Sequence, residues 1–206
     1  MTFTIQAKDG LARAAILDTP HGPVETPVFM PVATQASVKA LDSDDMRRLG
    51  AAALLANSYH LYLRPGTEVI KAAGGLHKFM DYEGFILTDS GGFQVLSLSD
   101  LREIDDEGVT FRSHLDGSKH RLTPESVIGV QAALGSDAWT TLDECPPYPC
   151  SEAEAAQALE RTLKWHDRSI PAVAAARAAG SKCLFFPLFQ GGLHPSLRKR
   201  SAEHHN

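Results

Sequence analysis

The chain has 206 residues, 43% hydrophobic and 22% charged, a composition typical of globular proteins that excludes disordered, collagen-like and disulfide-scaffold chains. Twenty Lys plus Arg against 25 Asp plus Glu give a net charge of -5, so a nucleic-acid partner would need a local basic patch. The length predicts one large domain or two small ones and excludes a complete (β/α)8 barrel, which takes about 250 residues.

The first segment predicts a β-hairpin. Two short strands, residues 3–7 and 12–17, flank Asp9-Gly10, a dipeptide that readily adopts the left-handed angles of a tight turn. After the hairpin, His21-Gly22-Pro23 is expected to break the chain.

The pattern then changes to short apolar runs, each followed by a loop and a helical pattern, which is typical of βα units and a parallel sheet. The first three runs are residues 28–32, 52–56 and 85–88. A helix is predicted after the first run, from Asp42 or Ser43 to Gly50. Another helix, over 67–73, follows the second run and is closed by Gly74-Gly75.

The third run is predicted to lead into an insertion rather than directly into a helix. Strands at 109–114 and 119–122 flank Asp116-Gly117 and indicate a second hairpin. A helix then begins at Thr123-Pro124, with Thr as N-cap and Pro where its missing N–H costs nothing.

Two further apolar runs, 138–142 and 184–189, complete the pattern. Between them, a capping box of Ser151 and Glu154 opens an Ala-rich helix that is predicted to be interrupted by Pro171 and to end at Gly180. A last helical pattern runs from Pro195 to the end.

Four of the runs are followed by a polar residue at the same relative place: Asn57, Asp89, Asp143 and Gln190. The carboxyl ends of parallel strands meet at one face, where α/β proteins carry their active sites. The alternative is that strand ends are polar because they meet water. Four such residues together, two of them with adjacent glycines, favour a site.

The segment around Asp89 carries the sharpest signal, since Ser90, Gly91, Gly92 and Phe93 follow it directly. Adjacent glycines allow a backbone to approach a flat ligand, and the Asp can exchange a proton with it. The alternative is a turn with an Asx hydrogen bond.

A second glycine pair follows Gln190. An Asp143 carboxylate accepts hydrogen bonds and a Gln190 amide also donates them, so together they match the base-pairing edge of a guanine-like base. Phe93 is a candidate stacking face. Tyr59, His60 and Tyr62 are predicted to lie in a loop, with packing favoured over substrate contact.

Other functional classes have little support in the sequence. Three cysteines, Cys145, Cys150 and Cys183, are an odd number without zinc-site spacing, so neither a disulfide framework nor a metal site is expected. The sequence has no GxGxxG or P-loop motif, no basic-then-apolar leader and no apolar run of about 20 residues. A cytoplasmic protein that does not enter membranes is therefore expected.

With these residues placed, the chain resembles the tRNA-guanine transglycosylases, the queuine tRNA-ribosyltransferase family. The resemblance covers nearly the whole chain, in the family's order and spacing. The matching stretches are residues 30–35, 57–66, 74–80, 87–98, 143–145, 147–149 and 190–192.

The resemblance implies a (β/α)8 TIM-barrel-like enzyme that exchanges guanine at the wobble position of certain tRNA anticodons for a deazaguanine base, either queuine or its precursor. In such an enzyme an aspartate attacks the ribose, the base leaves, and the new base attacks the covalent intermediate. By this resemblance Asp89 is the general acid/base, Asp143 and Gln190 read the base edge, and the pocket is lined by Ser90, Gly91, Gly92 and Phe93.

The resemblance also implies that this chain holds only part of the enzyme. The family's nucleophilic Asp and its Cys/Cys/Cys/His zinc site belong to a later segment, so no zinc or other cofactor is expected here. About five βα units are present where a barrel needs eight. We expect residues 1–206 to form a single partial domain, inactive alone. The alternative is a noncatalytic assembly subunit of a split enzyme. The expected partners are tRNA, the base, and a second copy or a C-terminal half.

Overall fold

The computed structural model describes residues 1–98 and 102–206. Its strands are β1 (Thr2–Asp9), β2 (Ala12–Thr19), β3 (Gly22–Thr26), β4 (Val32–Ala33), β5 (Ala53–Asn57), β6 (Phe85–Asp89), β7 (Arg102–Asp105), β8 (Gly108–Arg112), β9 (Lys119–Leu122), β10 (Ala138–Thr140) and β11 (Leu184–Phe186). Its helices are α1 (Ser43–Arg48), α2 (Ser58–Leu63), α3 (Thr67–Ala72), α4 (Leu76–Met80), α5 (Gly92–Leu98), α6 (Pro124–Leu134), α7 (Glu152–Ala178) and α8 (Pro195–His204).

The predicted N-terminal hairpin is confirmed, and it belongs to a three-stranded antiparallel sheet of order β1-β2-β3. Gly10 takes the left-handed turn conformation, with φ +57°. The expected break at His21-Gly22-Pro23 is confirmed only at His21, which lies in a turn, because β3 starts at Gly22 and pairs with β2. β3 is an edge strand, and an edge tolerates a proline that donates no hydrogen bond.

A mixed α/β fold is confirmed by the central sheet, which has five parallel strands in the order β11-β10-β6-β5-β4. The five strands lie in the sheet in the same order as the five apolar runs follow one another along the chain. The first predicted run, 28–32, is wrong in extent, since only Val32 and Ala33 pair. Pro31 lies inside that run and has no N–H to donate, and the paired residues begin directly after it.

The predicted helix starts and ends are largely confirmed. Asp42 caps α1, Thr123 caps α6, and the Ser151–Glu154 capping box opens α7. The interruption predicted at Pro171 is wrong, because α7 continues to Ala178. Pro171 lies on the exposed side of the helix, where water can satisfy the carbonyl that its missing N–H leaves free.

Two helices directly after strands correct the sequence interpretation. Tyr59, His60 and Tyr62 lie in α2 rather than in a loop, and Tyr59 is buried as expected for packing. Helix α5 begins at Gly92, so an immediate helix does precede the insertion. Such short helices carry too few turns for a helical period to show in the sequence.

The insertion is a separate antiparallel sheet of order β7-β8-β9. The hairpin predicted around Asp116-Gly117 is confirmed as β8 and β9, while the polar strand β7 was not predicted. Buried Phe111 and Leu122 of this sheet pack with Tyr59 and Trp165, so the insertion is fixed against α2 and α7. No helix in residues 1–98 and 102–206 combines the length and the apolar character needed to cross a membrane.

Candidate functional site

Two pairs of side chains meet at the carboxyl ends of the parallel strands, as the sequence predicted. Asn57 and Asp89 are the last residues of β5 and β6 and stand opposite each other in register. Asp143 and Gln190 follow β10 and β11 in loops. Asn57 Nδ2 donates to Asp89 Oδ2 at 2.7 Å, and Gln190 Nε2 donates to Asp143 Oδ2 at 2.6 Å.

The Asp89 carboxylate is held by the start of α2 and by its own glycine loop. Its Oδ1 accepts from the backbone N–H of Ser58 at 3.3 Å and of Gly91 at 3.1 Å. The Ser58 hydroxyl donates to the Asp89 carbonyl. Asn57 also caps α2 by accepting from His60 N at 3.1 Å, which fixes its amide orientation. Ser58 was not identified from the sequence.

Burial raises the pKa of Asp89 to about 7, against the opposing effect of the N–H groups of Ser58, Gly91 and Asn57. The Asp143 carboxylate raises the pKa further. A carboxyl with a pKa near neutrality is present in both protonation states, so it can donate a proton in one step and accept one in another.

This pKa makes the stability of the chain depend on pH through Asp89. The folded state binds the proton more tightly than the unfolded state, so Asp89 stabilises the fold fully below about pH 4 and this stabilisation is lost as pH rises through about 7. We expect the free energy of unfolding of wild type, relative to Asp89→Asn, to fall by up to about 4 kcal/mol from pH 4 to 8. Urea unfolding of both proteins at several pH values measures it. A difference independent of pH would contradict it.

Asp143 is buried and accepts three hydrogen bonds. Besides Gln190, its partners are Ser90 Oγ at 3.2 Å and Cys145 Sγ at 3.2 Å. Burial raises the pKa of Asp143, and these donors oppose the rise. Burial and the adjacent Asp143 also raise the pKa of the Cys145 thiol to about 12, so the thiol stays protonated and acts as a donor. Nothing in the sequence pattern marks Cys145 as part of the site.

The two glycines after Ser90 are required by contacts within the chain. Gly91 has φ +77°, and a Cβ there would lie 2.6 Å from Tyr59 Cβ. A Cβ on Gly92 would lie 2.8 Å from Asp143 Oδ1. The loop therefore packs tightly between α2 and the Asp143 segment, while Phe93, the next residue, is exposed.

Within the described ranges, the one His/Cys/Asp/Glu group with metal-like spacing is His21, His77 and Asp137. It lies at the amino ends of the strands, opposite the site. Asp137 contacts His21 Nδ1 at 2.8 Å and His77 Nε2 at 3.2 Å, and the two rings stack 3.8 Å apart. His77 Nε2 is also 3.1 Å from the Gly84 carbonyl, a contact that requires a proton on this nitrogen. Hydrogen bonding therefore accounts for the cluster.

The site thus contains one carboxyl with a pKa near neutrality, a second buried carboxyl beside an amide, and an exposed aromatic ring next to them. The structure brings together six residues that the sequence predicted, and Phe93 is adjacent to them. The six are Asp89, Ser90, Gly91, Gly92, Asp143 and Gln190. A carboxylate next to an amide can accept from a pair of N–H donors while the amide binds a neighbouring carbonyl.

Comparisons with known proteins place the chain beside one family. The profile of the family described as "Queuine tRNA-ribosyltransferase" matches residues 8–206. The chain is 55% identical to the queuine tRNA-ribosyltransferase of Desulforudis audaxviator over 97% of this chain and 53% of the relative. It is 54% identical to that of Moorella thermoacetica over 98% and 53%, and 52% identical to that of Gloeobacter violaceus over 98% and 52%. The chain therefore spans about half the length of the curated relatives it matches.

Proposed function

The chain belongs to the queuine tRNA-ribosyltransferase family, and from that membership we propose that residues 1–206 are the base-recognition portion of a tRNA-guanine transglycosylase. The proposed reaction exchanges guanine at the anticodon wobble position for a deazaguanine base, queuine or its precursor, in queuosine biosynthesis. The observation that carries the proposal is the convergence of Asp89, Asp143 and Gln190 at one end of the parallel sheet.

Base recognition falls to the Asp143–Gln190 pair. The Asp143 carboxylate accepts from the ring N–H and the amino group of guanine, and the Gln190 amide donates to its carbonyl. Gln190 already donates to Asp143 Oδ2 at 2.6 Å, so a bound base joins an existing network. Ser90, Gly91 and Gly92 line the pocket, and the exposed Phe93 ring stacks on the base.

Proton transfer falls to Asp89. As the bond between guanine and ribose breaks, negative charge develops on the departing base, and a protonated Asp89 donates to it. Asp89 then accepts a proton from the incoming base as that base attacks the ribose. A pKa of about 7 suits both directions. The attack that forms the covalent ribose intermediate needs a separate aspartate, which the family resemblance assigns to the second half of the relatives.

We further propose that residues 1–206 form one partial (β/α)8 barrel domain. Within the described residues, β4 and β11 each pair on one side only, so the sheet is open at both edges. In the longer relatives the remaining half would supply the further strands, the nucleophile, a zinc site and much of the tRNA-binding surface.

An exchange assay tests the proposal. We expect residues 1–206, joined to the second half of the Desulforudis audaxviator relative, to incorporate labelled guanine into tRNA. The 206-residue chain alone should incorporate little or none, because the proposed nucleophile is supplied by the joined half. Exchange by the chain alone at the rate of the joined protein would contradict this division, and an inactive but folded joined protein would contradict the proposed function.

A second candidate is a noncatalytic assembly subunit, which the open edges of the central sheet favour. The chain would then bind a separately produced second half without contributing to exchange. Mixing the two halves and measuring mass by light scattering tests the assembly. A complex whose exchange rate does not respond to Asp89→Asn would favour the noncatalytic subunit over the enzyme portion.

A further inference from the structure

Gln131 is a fully buried polar residue of α6 that lies between the two strands carrying the site carboxylates. Its amide makes hydrogen bonds through both heteroatoms. Oε1 accepts from Thr140 N at 2.9 Å, and Nε2 donates to Thr140 O at 2.9 Å. A side chain on a helix thus satisfies both backbone groups of a strand residue, as a neighbouring strand would.

The Gln131 amide takes the place of a neighbouring strand at the point where the pairing of β6 with β10 stops. The paired residues of β10 and β6 are Ala138 with Leu87 and Trp139 with Thr88. Thr140, the next residue of β10, bonds to Gln131 instead. The two strands therefore separate beside the site, and the Gln131 amide occupies the point of separation.

Gln131 also binds the other strand. Its Oε1 also accepts from Thr88 Oγ1 at 3.0 Å, so one oxygen bridges β6 and β10 just beyond their last backbone pair. Thr88 directly precedes Asp89, and Thr140 lies three residues before Asp143. The Gln131 amide therefore contacts the residues that lead into both carboxylate segments, whereas its neighbours Val130 and Leu134 on α6 belong to an apolar cluster.

We propose that Gln131 is a positioning residue that sets the separation of Asp89 and Asp143 so that one base contacts both. This inference rests on the proposed base-binding function. The positioning role requires an acceptor and a donor at the end of one side chain. An amide supplies both, and so does a protonated carboxylic acid. A carboxylate lacks the donor, and a thioether lacks the donor and is only a weak acceptor.

Two variants separate positioning from packing. Gln131→Met keeps the approximate volume and loses the donor, so guanine affinity should fall at least tenfold at every pH. Gln131→Glu should bind like wild type at pH 6, because burial favours its protonated form, and should weaken at least tenfold relative to wild type by pH 8.5. Dividing by the wild-type affinity at the same pH removes the titration of Asp89 and Asp143. Val130→Ala, a buried apolar change on the same helix, is the matched control and should bind guanine normally.

Calorimetric titration of the 206-residue chain with guanine measures these ratios, and a crystal structure of Gln131→Met gives a readout without ligand. We expect the 3.2 Å contact of Ser90 Oγ with Asp143 Oδ1, which joins the two carboxylate segments, to be lost in that structure while the fold is kept. A folded Gln131→Met with this contact intact and wild-type affinity would overturn the inference. Should Gln131→Met fail to fold, a pH-independent ratio for Gln131→Glu would overturn it. If wild type binds no guanine, the proposed function fails, and the structure of Gln131→Met still decides the role of Gln131.

Discussion

Asp89→Asn is expected to lower the rate of guanine exchange by about a thousandfold in the protein that joins residues 1–206 to the second half of the Desulforudis audaxviator relative. The amide cannot give up or take a proton near neutral pH, so the departing base leaves as an unprotonated anion. The fold should persist, since Asn fills the same space between Asn57 and the Gly91 backbone. Single-turnover release of labelled guanine from tRNA measures the rate.

The matched control is Asp116→Asn, which removes one carboxylate from the exposed turn of the inserted hairpin. Its exchange rate should equal that of the unsubstituted protein. An Asp89→Asn protein that turns over normally would remove Asp89 from the mechanism and leave base recognition as the role of the remaining site.

Asp143→Asn is expected to weaken guanine binding at least a hundredfold, the largest effect on affinity that the site offers. The carboxylate can accept from two guanine donors, whereas an amide accepts with one atom and presents N–H groups to the other donor. A polar group left unpaired in a buried site costs far more than an ordinary contact. Calorimetric titration of the 206-residue chain with guanine measures the loss.

Glu144→Gln is the control for Asp143→Asn because it also removes one negative charge, at the adjacent position. The Glu144 side chain pairs with Arg161 rather than with the Asp143–Gln190 network. Its guanine affinity should stay within a few-fold of wild type. Equal affinity of Asp143→Asn and wild type would refute the assignment of Asp143 to the base edge.

Local signals made several elements predictable from the sequence. Thr123 and Ser151 were recognisable as caps because a side-chain oxygen before a helix satisfies a free N–H. Asp89 and Asn57 were recognisable as site candidates because the apolar runs before them indicated parallel strands whose ends share a face.

Contacts distant in sequence were not predictable in this way. The Asp143–Gln190 hydrogen bond joins residues 47 positions apart, and the roles of Ser58 and Cys145 depend on how two loops meet. Gln131 gave no signal because a single polar residue in a helix usually faces solvent. Its role follows only from the local separation of β6 and β10.

Residues 1–206 are proposed to hold a site for a guanine-like base, formed around Asp89, Asp143 and Gln190. Calorimetric titration of the unsubstituted chain with guanine, and separately with adenine, tests it most directly. We expect saturable binding of one guanine per chain and no measurable binding of adenine, whose base-pairing edge reverses the donors and acceptors that Asp143 and Gln190 require. Absence of guanine binding by the folded chain, or equal binding of the two bases, would contradict the claim.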